Sequence, residues 1–179
     1  MKKLSVMMLV LFTVSIISSN LSAQEIKLGY VDTVKLFSQY SETVEAEKIY
    51  KKEVEAWRKK ASEMEAEIAR LREEIQSQSL MLSQEKLAEK KLQLEQKFKE
   101  YQQYMGDIFG EEGEAAKRNK ELTQPIVEKI NAVIAKIAEE EGYTMIFDSS
   151  QGNILYAKKA MDLTDKVLER LEGQLQSTQ

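Results

Sequence analysis

VEAWRKKASEMEAEIARLREEI, residues 54–75, sets the architecture of this chain. Val54, Trp57, Ala61, Met64, Ile68, Leu71 and Ile75 recur at spacings of 3, 4, 3, 4, 3 and 4. That is a heptad seam, a stripe on one helix face that needs a partner helix to cover it. Charged residues fill the other faces. Glu47 with Lys51 and Glu55 with Lys59 stand four apart with the acid first, the favourable orientation, at about 0.2–0.5 kcal/mol each.

The seam stops in Ser77-Gln78-Ser79-Leu80-Met81-Leu82-Ser83. Ser83 is a candidate N-cap for a new helix, with Glu85 well placed for the helix dipole. A second seam follows through Leu87, Leu94, Phe98, Tyr101, Met105 and Ile108, interrupted at Lys91. Leu122, Ile126, Ile130, Val133 and Ile137 continue an apolar face. Two heptad segments joined by a short uncharged stretch fold back most simply into an antiparallel coiled-coil hairpin. The competing reading is one continuous helix of about a hundred residues, and uncapped periodicity over such a run is uncommon. The outbound arm then measures about 55 Å and the return arm about 85 Å.

Gly106, Gly110 and Gly113 stand inside the return arm, each costing about 1 kcal/mol relative to Ala in a helix interior. Two readings compete: close helix packing at Gly106 and Gly110, or a hinge that lets the arm splay. Pro125 starts a new helical segment or kinks the arm. Gly142 suits a helix C-cap. Glu139, Glu140 and Glu141 precede it on the unfavourable end of the helix dipole, with nothing nearby in sequence to offset them.

Outside the arm the periodicity shortens. Ile26, Leu28 and Tyr30 alternate on one face of a short strand. Asp32 caps a short helix over 33–39, and Ser41 is a candidate cap for the long helix. Tyr143–Asp148 and Asn153–Ala157 are expected as two strands of a β-hairpin around Ser149-Ser150-Gln151-Gly152. Asp162 caps a last helix with Leu163, Val167, Leu168 and Leu171 on its apolar face. The expected fold is mainly α with a small β body, the hairpin arm over 42–141 (tip near 77–83) projecting from a β-rich body over 24–41 and 142–179. Three short strands and a helix are too little core to stand alone, so the body is expected to oligomerise.

The N-terminus reads as a signal peptide over 1–23: Lys2 and Lys3, an apolar run, then Leu21-Ser22-Ala23, with cleavage after Ala23. The competing reading, a membrane anchor, needs about 20 apolar residues. The rest carries net charge −6, which disfavours a general nucleic-acid binder. The chain has 1 Pro, no His and no Cys. Histidine- and cysteine-based nucleophiles, His- or Cys-ligated zinc and disulfides are thereby excluded. No Gly-rich phosphate loop appears, the Glu pairs read as solvated helix faces, and neither an enzyme nor a cofactor is expected.

In this layout the chain resembles the Skp/OmpH family of periplasmic chaperones. The matching segments are Ile26-Lys27-Leu28-Gly29-Tyr30-Val31-Asp32, Pro125-Ile126 leading into Ile130 and Ile134, Glu141-Gly142-Tyr143-Thr144-Met145-Ile146-Phe147-Asp148 and Asp162-Leu163-Thr164-Asp165-Lys166-Val167. The resemblance implies a homotrimer with a small β-rich body, helical arms around a cavity, and ATP-independent holding of unfolded outer-membrane β-barrel proteins in the periplasm. The best-known members have basic arms; here residues 42–74 carry 8 basic and 10 acidic residues, and residues 84–141 carry 10 and 13. Capture is therefore expected to lean on apolar contact. Leu80, Met81 and Leu82 at the tip either close the coiled-coil core or touch clients or the membrane surface. Trp57 is expected in the core, Tyr101 and Tyr104 at the seam and its flank. A structural coiled-coil spacer of the envelope is the rival reading; such a spacer prefers rigid arms, which three glycines do not provide.

Overall fold

The structure, a computed structural model, describes residues 26–176; the expected signal peptide and its cleavage site lie outside the described residues. The chain runs through β1 (Leu28–Val31), α1 (Thr33–Gln39), α2 (Ser41–Gln78), α3 (Gln84–Phe109), α4 (Glu114–Glu141), β2 (Met145–Asp148), a 3-10 turn (Lys159–Met161) and α5 (Thr164–Gln176). α2 goes out and α3 and α4 come back alongside it, so the seam closes as a hairpin and not as one continuous helix.

The two strands lie parallel, Leu28 opposite Met145 and Val31 opposite Asp148. Gly29 and Val31 face the core. A Cβ on Gly29 would sit 2.7 Å from the Leu163 side chain, so the start of α5 can pack there only against a bare backbone. Leu28 and Tyr30, the alternation seen in the sequence, face the other way. The core joins Val31, Leu36 and Tyr40 to Ile126, Ile130, Val133 and Ile137 of α4 and to Leu163, Val167 and Leu171 of α5. The compact end therefore includes the last turns of the return arm.

Local capping follows the sequence in most places. The Asp32 carboxylate accepts from the Lys35 N–H at 2.9 Å, and Gly142 ends α4 in the left-handed region at φ 71°. Asp162 accepts from the Thr164 N–H at 2.9 Å. Ser41 does not cap α2. Tyr40 occupies the cap position without a side-chain bond. Glu172 of α5 instead accepts from the Ser41 N–H and hydroxyl, both at 2.8 Å. The three-glutamate end of α4 finds its cations in other elements: Lys166 bonds both Glu141 oxygens at 2.9 Å, and Arg170 reaches Glu140 at 2.8 Å.

Two expectations are corrected. Residues 153–157 form no strand: among the described residues β1 pairs with β2 and, by a single bridge at Tyr30, with Asp162, while the expected hairpin partner lines the outer face of the sheet without pairing. Ile154 and Ala157 are half-buried against the sheet, but Leu155 is 97% and Tyr156 85% exposed. And Pro125 does not start a new helical segment. α4 begins at Glu114 and runs through it, because Leu122, Ile126 and Ile130 around it are held by the core. That packing outweighs the one backbone bond proline removes.

Candidate functional site

The arm is the feature with chemistry to examine, since among the described residues no group of His, Cys, Asp and Glu could hold a metal ion. α2 spans 38 residues without a break, about 57 Å at 1.5 Å per residue. Its seam is the one expected: Ala61, Ile68 and Leu71 are buried, and Val54, Trp57, Met64 and Ile75 are half-buried.

The return side differs. Half-buried positions of α3 recur at Leu87, Lys90, Leu94, Lys97, Tyr101, Tyr104 and Ile108, at spacings of 3, 4, 3, 4, 3 and 4, with Met105 and Phe109 beside them near its inner end. Lys91 and Phe98, read from sequence as seam positions, lie outside it and are exposed. Lysine can sit in a seam because its stem covers apolar surface while its ammonium reaches the rim. Lys90 meets Glu74 at 2.8 Å and Lys97 meets Glu67 at 3.5 Å. Further in, Arg118 holds Glu53 at 2.8 Å, and Lys129 pairs with Glu42 beside the buried Tyr40. Each of these pairs crosses from an acid on α2 to a base on the returning chain. The Arg118 and Lys90 contacts hold the Glu53 and Glu74 carboxyls below their usual range. The Glu100 and Glu67 charges raise Lys97. The Tyr101 hydroxyl donates to Glu65, and that of Tyr104 to the Trp57 carbonyl at 3.2 Å.

α3 buries none of its residues completely, whereas α4 buries Ala115, Ile126, Ile130, Val133 and Ile137. Between them, residues 110–113 leave helical geometry. A Cβ on Gly110 would sit 2.4 Å from the Gly106 carbonyl oxygen, and one on Gly113 2.6 Å from that of Ile108. Nothing lies within 4 Å of a Cβ on Gly106, so close packing does not require glycine there. The turn at the tip covers 79–83, with the Ser83 hydroxyl accepting from the Lys86 N–H at 3.3 Å. Leu80 is 98% and Met81 85% exposed, and Leu82 is half-buried. Residues 75–84 carry no charge. Leu92 and Phe98 add exposed apolar surface along α3.

At the other end, Leu28, Tyr30 and Phe147 floor an open groove of roughly 830 Å³, walled by Ile154, Leu155 and Tyr156. Asp148 beside it is half-buried. Burial pushes its carboxyl up, but hydrogen bonds from Ser150 and Thr33 outweigh this and hold it low. No helix among the described residues is long and apolar enough to cross a membrane.

Residues 27–171 match the family described as outer membrane protein (OmpH-like). The chain is 26% identical over 152 residues to the chaperone protein Skp of Vibrio cholerae serotype O1, covering 82% of this chain and 83% of that protein. Its fold matches the crystal structure of a candidate OmpH-like outer membrane chaperone from Caulobacter crescentus, with a TM-score of 0.72 at 12% identity, over 83% of this chain and 85% of that one.

Proposed function

The chain belongs to the OmpH-like outer membrane protein family, and from that premise we propose that it is a periplasmic, ATP-independent holdase that keeps unfolded outer-membrane β-barrel proteins from aggregating. The observation that carries this reading is the distribution of apolar surface on the arm. A helical pair more than 50 Å long (roughly 1.5 Å per residue) leaves Leu80, Met81, Leu92 and Phe98 uncovered. Leu80 and Met81 sit together at the tip, and Leu92 and Phe98 add separate points of apolar contact along α3. Many weak contacts spread along such an arm hold a client through multivalency while each one releases quickly.

The compact end supports self-association. Among the described residues no strand pairs with the outer edge of β2, whereas the chain at Asp162 bridges to Tyr30 along β1, and the groove over Leu28, Tyr30 and Phe147 is apolar. A homotrimer formed through residues 24–41 and 142–179 would cover this groove and set the arms around one cavity. Light-scattering mass in solution gives the subunit count, and Leu155→Ser with Tyr156→Ser is expected to lower it. The reading calls for no cofactor and no enzymatic step.

The decisive experiment dilutes a urea-unfolded outer-membrane barrel protein into buffer, without ATP, and follows light scattering. A stoichiometric amount of this chain is expected to suppress the scattering. No suppression would favour the rival, a coiled-coil spacer. Changing Leu80, Met81 and Leu82 together to Ser is expected to weaken holding while helicity and oligomer size stay unchanged. Unchanged holding would remove the tip from the client surface. The same variant tested for flotation with lipid vesicles separates contact with clients from contact with membranes.

A further inference from the structure

We propose that the inner face of α3, the face laid on α2, takes hold of extended apolar segments of a client, and that α3 uncovers it by swinging out between the turns at its two ends. The inference rests on the holdase reading and names the surface that reading needs.

Three features point to it. First, α3 is bounded by non-helical backbone on both sides, residues 79–83 at the tip and 110–113 toward the compact end, while α2 is unbroken. It can leave as a rigid helix with its internal hydrogen bonds intact. Second, none of its own side chains is fully buried on α2, although Ile68 and Leu71 beneath it are. Leu87, Leu94, Tyr101 and Ile108 are half-buried, and Lys90 and Lys97 already have their ammonium groups at the rim. The charged and titratable groups around these two ion pairs are Glu65, Glu67, Arg70 and Glu74 from α2 and Glu89, Lys90, Lys97, Glu100 and Tyr101 from α3. All remain in reach of water when the helices part. Third, the face that α3 now covers shows what it accepts: Ile68, Leu71 and Ile75 interleaved with Glu67 and Glu74. An unfolded segment of apolar residues interleaved with carboxylates presents the same chemistry. Opening also bares Ile68 and Leu71 of α2, so the open state persists only with apolar material in the gap.

The absence of cysteine makes the test direct. Ala69→Cys and Glu95→Cys introduce thiols at exposed positions level with the Glu67–Lys97 pair, on the flank of the hairpin where Ser62 meets Phe109, and Ala56→Cys with Ala116→Cys does the same near Glu53–Arg118. A short bismaleimide bridges each pair, with gels confirming that the bridge stays within one chain. In the barrel-protein aggregation assay the outer bridge is expected to reduce suppression several-fold, and the inner bridge to leave it unchanged. Full suppression by the outer-bridged protein overturns the proposal and leaves the holdase reading standing. If the unbridged proteins also fail to suppress aggregation, the holdase reading falls, and the proposed surface with it. Spin labels on the outer pair give a second readout. Their distance is expected to lengthen when unfolded client is added, and an unchanged distance overturns the swing.

Discussion

The inner and outer halves of the arm share one outbound helix and cover it by different means. Near the compact end, α4 drives Ile126, Ile130, Val133 and Ile137 into a core shared with α1 and α5. Farther out, α3 lies on the same helix with apolar and lysine positions in turn; it covers Ile68 and Leu71 of α2 but has no fully buried residue of its own. Apolar burial is cooperative and costly to undo; half-exposed ion pairs are neither. One continuous coiled coil can thus be anchored at its root and loose toward its tip without any change of secondary structure.

The largest expected test of this contrast is a pair of truncations. Ile137→Ala removes a completely buried side chain, and a loss of about 2–5 kcal/mol is expected from urea unfolding. Leu94→Ala, at a half-buried seam position, is expected to cost about 1 kcal/mol or less. Equal losses would break the contrast. Next come the glycines that separate the halves. Gly113→Ala places a Cβ 2.6 Å from a backbone oxygen, and an unfavourable change of about 1–3 kcal/mol is expected. Gly106→Ala has open space in a helix interior and is expected to stabilise by about 0.5–1 kcal/mol. Thermal unfolding of the two variants should therefore shift in opposite directions.

The smallest expected effect is the response to pH. Glu53, Glu74 and Glu141 sit below their ordinary value of 4.5 because they accept hydrogen bonds from Arg118, Lys90 and Lys166. Stability contributed by these contacts is complete above pH 4.5 and is lost as the pH falls through their lowered values. Lys97, raised mainly by the Glu100 charge, and Lys129, raised mainly by its bond to Glu42, act in the other direction. Their contribution is complete below pH 10.5 and is lost as the pH rises past it. Hydrogen exchange at pH 7 and pH 4 is expected to show α3 losing protection before α4. Simultaneous loss would mean that the outer half depends on its apolar seam alone.

Most of the hairpin was legible because α2 carries an unbroken apolar repeat and because Ser83 and Gly142 mark helix ends by their own chemistry. The seam of α3 was legible in part: Leu87, Leu94, Tyr101, Met105 and Ile108 are half-buried as read, but a search for apolar residues selects Phe98 and passes over Lys90 and Lys97, whose stems do the covering. The carboxylates that hold Lys90 and Lys97 lie 16 and 30 residues away in the chain. Residues 153–157 have strand-forming composition, but a strand needs an edge to bind, and no sequence pattern states whether that edge belongs to the same chain. The cap supplied to Ser41 by Glu172, 131 residues away, left no local trace either. For the candidate client surface, the exposed tip was readable as an uncharged stretch between two charged helices. The role of Lys90 and Lys97 in the inner face of α3 was not.

The pairing of β1 with β2 joins positions 117 residues apart in every register pair, while Glu74 and Lys90 at the outer arm are 16 apart. Loop closure and contact separation set the order in which such pieces assemble. During synthesis the hairpin can zip as soon as its second helix emerges. The first strand, made earliest, has to wait for one made almost last. The chain thus spends most of its assembly as an arm without a root.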